Sequence, residues 1–170
     1  MNVLFVVLLI AFATFSRLVP HSPNFTPVIS IALFAGAYLK NWLVFMVPIA
    51  ALFISDCVIG FYGPLMLYVY GSITIITCLG FMGRNNVSVK KVVGLSLIGA
   101  ICFFVITNFG VWILGSMYPK TPAGLIECYV AGIPFFRNTV SSTLLYSAAL
   151  FGTYELALKH AIHLWDVRKA

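Results

Sequence analysis

Residues 92–114 read VVGLSLIGAICFFVITNFGVWIL. No charged residue interrupts the run, and it exceeds the roughly 20 residues an α-helix needs to cross the hydrocarbon core of a bilayer. Lys90 and Lys91 precede it and Gly115 follows it. The stretch predicts a membrane-spanning helix, and the rest of the chain is read outward from it.

The composition points the same way. Of 170 residues, 62% are hydrophobic and 8% charged, whereas soluble domains carry about 25% charged and about 45–50% apolar residues. Mean hydropathy is +1.06. These values argue against a soluble globular fold, and intrinsic disorder needs the opposite composition. At roughly 20 residues per span, the length admits about six or seven short-looped helices and no second domain. The expected fold class is all-α: a polytopic membrane protein forming one transmembrane domain over 1–170, with six transmembrane helices.

The spans are expected at about 1–16, 27–39, 42–58, 64–82, 92–114 and 139–158. Ala11-Phe12-Ala13 looks like a signal-cleavage site, but no positive region precedes it, so the first run reads as a retained helix. Thr26 suits an N-cap and Pro27 a first helical position. The second run is short for a span, and Tyr38 and Lys40 are expected to reach toward headgroups. Pro48 predicts a kink. Between the fifth and sixth runs, Thr121-Pro122 can start a short helix, Gly132 can end it, and Pro134 stops continuation. The 116–138 segment therefore reads as a helical lid folded onto the bundle, or else as an interfacial helix with no solute role.

The formal net charge of +6 does not indicate nucleic acid, because the basic residues sit at the ends of apolar runs rather than on one polar face. Six spans put Lys40, Arg84, Lys90, Lys91, Lys159, Arg168 and Lys169 on one side and Arg17, Lys120 and Arg137 on the other. The richer side faces the cytoplasm, so both termini are expected inside.

This topology gathers the unusual side chains on the outer side. His21 and Asn24 lie in the first outer connection, Asp56 near the outer end of the third helix, Asn108 and Trp112 near the outer end of the fifth, and Tyr129 in the lid segment. They are the expected substrate-binding set: aromatics for flat apolar contact, amides and a carboxylate for orientation. Arg17 or Arg137 is expected to balance Asp56, since an unpaired carboxylate there is costly. Each also has a structural reading: a salt bridge for Asp56, helix-to-helix hydrogen bonding for Asn108, a backbone bond for His21. Glu155 lies four residues before Lys159, a favourable helical pair.

No reactive constellation stands out. Ser96 lacks GxSxG spacing, and HExxH, paired intramembrane aspartates and GxxxxGK[ST] are missing from the sequence. The expectation is a non-enzyme with no ATPase of its own, no cofactor and no metal. Cys57, Cys78, Cys102 and Cys128 form no CxxC; for Cys57 and Cys128, pairing, soft-metal ligation or neither stay open.

Arg17 followed by Pro20-His21-Ser22-Pro23-Asn24-Phe25-Thr26-Pro27 resembles an uncharacterised family of small bacterial membrane proteins. That family is grouped with the substrate-binding S components of energy-coupling factor (ECF) transporters. The resemblance continues through Ser55-Asp56 with Gly60-Phe61, Thr107-Asn108-Phe109-Gly110-Val111-Trp112, Tyr118-Pro119-Lys120-Thr121, Gly124-Leu125 with Cys128-Tyr129, and Pro134-Phe135-Phe136-Arg137-Asn138. It implies six helices in the bacterial inner membrane, an outward pocket closed by loops, and a small vitamin-like solute. It also implies a transmembrane coupling subunit and two ATPases as partners. The AxxxA stripe common on the first helix of S components is missing here; the nearest small pair is Ala32 with Gly36 on the second helix. A membrane scaffold or assembly partner, binding another protein through its aromatic outer face, is the alternative function.

Overall fold

A computed structural model describes residues 3–84 and 86–167, with side chains for 4–84 and 86–160. Arg168 and Lys169, used above for topology, lie outside the described residues. The order is α1 (Val3–Leu18), α2 (Val28–Tyr38), α3 (Leu43–Ile59), α4 (Leu65–Gly80) with a 3-10 turn at Phe81–Gly83, α5 (Val89–Leu114) and α6 (Pro122–Val167). Among the described residues there is no strand.

Side-chain contacts fix the helix directions. Thr14 and Arg17 of α1 bond the α3 backbone at Ala51 and Leu52, so those two run parallel. Ser30 of α2 reaches the Thr143 carbonyl and Tyr38 reaches Glu155, so α2 runs parallel to the second half of α6. Ser96 of α5 bonds Ser147, while near the other end Tyr129 bonds the Val105 carbonyl, so α5 and α6 are antiparallel. The helices therefore alternate. The 19–27, 60–64 and 115–121 connections share one end of the bundle, here the loop end; the 39–42 and 84–88 connections share the other.

The short helix α2 is the core. Residues Val28 to Ala37 are all buried, packed by α3, α4, α5 and α6. A helix that is apolar on every face has to be enclosed. Its crossing with α4 is close because Gly36 faces Gly80: a Cβ on Gly36 would lie 2.7 Å from the Gly80 Cα. Small residues allow such backbone approach where apolar burial alone does not drive helices together. At its lower end Phe34 and Tyr38 pack with Phe151 and Tyr154. Arg84 donates to the Leu39 carbonyl, capping the helix end.

Elsewhere the usual arrangement of polar and apolar residues is reversed. Ser30, Ser55, Asp56, Ser72, Thr77, Ser96, Thr143 and Ser147 are buried, whereas Leu8, Phe15, Val58, Leu67, Ile101 and Ile126 are each more than half or half exposed. Leu65–Gly83 and Val89–Leu114 are long and apolar enough to cross a membrane; α1, α2 and α3 are shorter apolar helices.

Four expectations are corrected. The separate lid helix and a sixth helix starting at 139 are one helix, which passes through Gly132 and Pro134 without a break. Gly132 is not a stop but a contact: a Cβ there would lie 2.9 Å from the Phe104 ring, so glycine lets α6 lie against α5. Pro134 removes one backbone donor, and α6 is held on either side of it by Tyr129 to Val105 and by Asn138 to the Pro23 carbonyl. Tyr38 turns inward to Glu155 rather than outward. Lys159 forms no ion pair with Glu155, since the one ion pair among the described residues is Arg17–Asp56. Pro27, not Thr26, occupies the N-cap of α2, without a side-chain bond.

Candidate functional site

The loop end of the bundle contains two adjoining cavities. The larger, about 400 Å³, is walled by Phe103, Thr107, Asn108 and Val111 of α5 and by Cys128, Ala131, Gly132 and Phe135 of α6; Pro23, Asn24, Met117 and Tyr118 lie over it. The smaller, about 180 Å³, is bounded by Arg17, His21, Asn24, Ile29, Leu52, Ile73 and Thr139, among others. Asn24, Val69 and Phe103 line both.

Helical spacing produces the larger wall. Phe103, Thr107 and Val111 repeat every four residues on α5, as do Cys128, Gly132 and, one residue off, Phe135 on α6, so each helix turns one face inward. The thiol of Cys128 donates to the Asn108 carbonyl at 3.4 Å. Asn108 donates from Nδ2 to the Phe104 carbonyl at 2.8 Å, and its Oδ1 lies against Gly132. Among the described residues no carboxylate, ammonium or guanidinium borders this cavity.

The chain bends into the site at Asn24, whose φ of 63° is left-handed, a conformation asparagine tolerates better than most residues. Its carbonyl accepts from Ser142, and the residue borders both cavities. His21 donates from Nδ1 to the Val19 carbonyl at 2.6 Å, because a carbonyl can only accept.

Behind the smaller cavity stands the charged pair. Arg17 Nη2 meets Asp56 Oδ1 at 2.7 Å, and Nη1 donates to the Leu52 carbonyl and Ser55 Oγ. Asp56 Oδ2 accepts from Tyr70 at 2.7 Å and from Tyr62 at 3.3 Å. Asp56 is 0% exposed. Burial, with the Asp56 carboxylate next in importance, pushes the Tyr62 phenol up to about 12, so it remains a donor.

The expected residues thus separate. His21, Asn24 and Asn108 border the cavities, and Arg17 borders the smaller one. Asp56 borders neither and sits behind Arg17. Arg137 is exposed and makes no ion pair among the described residues, so Arg17 balances Asp56. Trp112 donates from its ring nitrogen to the Pro119 carbonyl at 2.9 Å, and Lys120 lies over its ring while donating to the Trp112 and Gly115 carbonyls at the end of α5. Trp112 therefore pins the 115–121 loop outside the cavity. Tyr129 is bonded to the Val105 carbonyl at 2.8 Å, with its ring against Phe104, and clamps α6 to α5. The 116–138 segment divides: 115–121 is a loop whose Met117 and Tyr118 cover the cavity, and the rest is its wall.

Phe103, Thr107, Tyr118 and Phe135 line the site without having been in the expected binding set. For Phe103 and Thr107 the signal was the four-residue spacing on α5, and for Phe135 the continuation of α6 past Gly132; Tyr118, in the loop, had no such signal. The four cysteines are free, Cys57 exposed and Cys128 buried, and among the described residues no His, Cys, Asp and Glu cluster could hold a metal.

No curated protein and no solved structure matches this chain. The Family of unknown function (DUF6580) matches residues 1–165, and the chain belongs to that family.

Proposed function

We propose that this chain is a membrane-embedded capture subunit that takes up a small solute in the manner of an S component. The supporting observation is the paired cavity at the loop end, apolar on its walls and edged by the Asn24 and Asn108 amides. Such a mixture is what small-molecule sites use for affinity and orientation. The larger cavity has no charged border and the Arg17 charge beside the smaller is offset by Asp56, which favours an uncharged solute. Phe103 and Phe135 favour a flat ring, and Thr107, Tyr118 and the amides favour polar groups on its edge.

The bilayer setting rests on the reversed surface. Contiguous apolar exposure on α1, α3, α4, α5 and α6 is what lipid stabilises and water does not. The shortness of α2, about 17 Å, is compatible with six spans because its neighbours shield it from lipid. In this reading the loop end faces outward, both termini are cytoplasmic, and the location is the bacterial inner membrane. Release toward the cytoplasm would be driven by a transmembrane coupling subunit with two ATPases, the chain itself having no enzymatic step.

Thermal-shift screening of the purified protein against uncharged ring compounds tests the solute class. The expected hits raise the unfolding temperature in proportion to the logarithm of ligand concentration. If only anionic compounds stabilise it, the assigned class is wrong.

A further inference from the structure

The opposite end of the bundle contains a third cavity, about 360 Å³, between the start of α5 and the second half of α6. It goes beyond the solute reading and rests only on the bundle lying in a bilayer. Its floor is made by Val92, Val93, Leu144 and Ala148, and its deep end by the Ser96–Ser147 hydroxyl pair. Its other end carries Ser88, Glu155 and Lys159. Eight residues of α5 separate Ser88 from Ser96, about 12 Å of helix, so the polarity changes along a groove rather than across it. Val89 is 81% exposed and Val93 42%, so the groove opens sideways between the two helices, toward what is lipid in a bilayer.

The charges at the polar end are opposite and do not neutralise each other. Glu155 takes the Tyr38 hydroxyl on Oε1, and among the described residues Lys159 has no carboxylate within ion-pair distance. Ser88 caps α5 by accepting from the Lys91 amide, and the positive end of that helix lies beside the same mouth, where anions are favoured. One end thus offers a carboxylate with a free oxygen and, separately, an ammonium beside a helix start. A ligand complementary to this arrangement has a cation and a phosphate a few bonds apart, with an apolar tail.

We propose that the groove between α5 and α6 binds an aminophospholipid of the adjacent leaflet. The phosphate meets Lys159 and the α5 N-terminus, the primary ammonium meets Glu155, and one acyl chain lies along Val93, Leu144 and Ala148. The site selects a primary ammonium because trimethylammonium has no N–H to donate to Glu155, and an anionic headgroup without a cation leaves Glu155 unpaired.

The test is native mass spectrometry of the full-length protein given phosphatidylethanolamine, phosphatidylcholine and phosphatidylglycerol with identical acyl chains. The wild type is expected to retain phosphatidylethanolamine several-fold more than either other lipid. Glu155→Gln keeps an acceptor for Tyr38 but removes the charge, and should abolish the preference over phosphatidylcholine. Val93→Trp fills the groove at an exposed position and should reduce retention of phosphatidylethanolamine with helix content by circular dichroism unchanged. Equal retention of the three lipids by the wild type, or a preference unaltered in both variants, overturns the site. Binding of free glycerophosphoethanolamine as tightly as of the lipid overturns the acyl-chain groove. Alkaline carbonate extraction of the wild type from membranes is the separate arm: release into the supernatant would overturn the bilayer reading along with the lipid site. Retention with equal lipid binding would overturn the lipid site alone.

Discussion

Asp56 shows how one residue can be essential to a site without touching what the site holds. Its two oxygens are shared among Arg17, Tyr62 and Tyr70, so the guanidinium beside the smaller cavity is fixed from behind. Asp56→Asn would leave Arg17, 15% exposed beside the smaller cavity, with an uncompensated charge, and removing one partner of a buried pair costs up to about 3–5 kcal/mol. The expected outcome is a loss of that order in reversible unfolding in mixed detergent micelles; a loss well below about 1 kcal/mol would mean the pair is solvated and not structural. An acidic residue at the end of an apolar run, with Arg17 and Arg137 as candidate partners, was legible in the sequence. The choice of Arg17 and the two tyrosines was not, because α1 and α4 approach α3 only through tertiary packing. For Trp112 and Tyr129 the sequence left the role open for a related reason: aromatic residues near a helix end serve equally to line a cavity or to clamp a loop, and only the direction of the ring distinguishes them.

At the scale of elements, existence and number were readable from apolar runs broken by Gly, Pro and Lys. The fate of Gly132-Ile133-Pro134 was not, because a glycine and a proline that would end an isolated helix are compatible with one clamped along its length. Spin labels at the exposed positions Ile126 and Leu145 test this continuity. Nineteen residues of unbroken helix separate the two backbones by about 28 Å, and a narrow distance distribution near that value is expected. A broad distribution centred well below it would restore a separate lid. The short α2 was legible as apolar but not as central: its burial comes from four neighbours, and its pairing of Gly36 with Gly80 joins residues far apart in the chain.

For the whole molecule, the placement of hydroxyls inside and aliphatic side chains outside carries the bilayer reading, and the distribution of Lys and Arg carries the orientation. Reporter fusions after Asn86 and after Tyr118 are expected to read cytoplasmic and external, respectively. The same side for both would break the alternation of helices on which the outward cavity depends. The cavity itself was legible as a cluster of polar and aromatic residues on one side, but its walls were not, since they depend on α5 and α6 facing each other across Asn108 and Gly132. The central claim is that this cavity captures a small uncharged ring compound. Mass spectrometry of small molecules retained by the purified protein tests it most directly, with Asn108→Leu as the comparison. The account predicts one compound retained in stoichiometric amount by the wild type and lost from the Asn108→Leu protein, which should stay folded because the lost bond runs within a single helix turn. No retained compound, or one retained equally by both proteins, would contradict it.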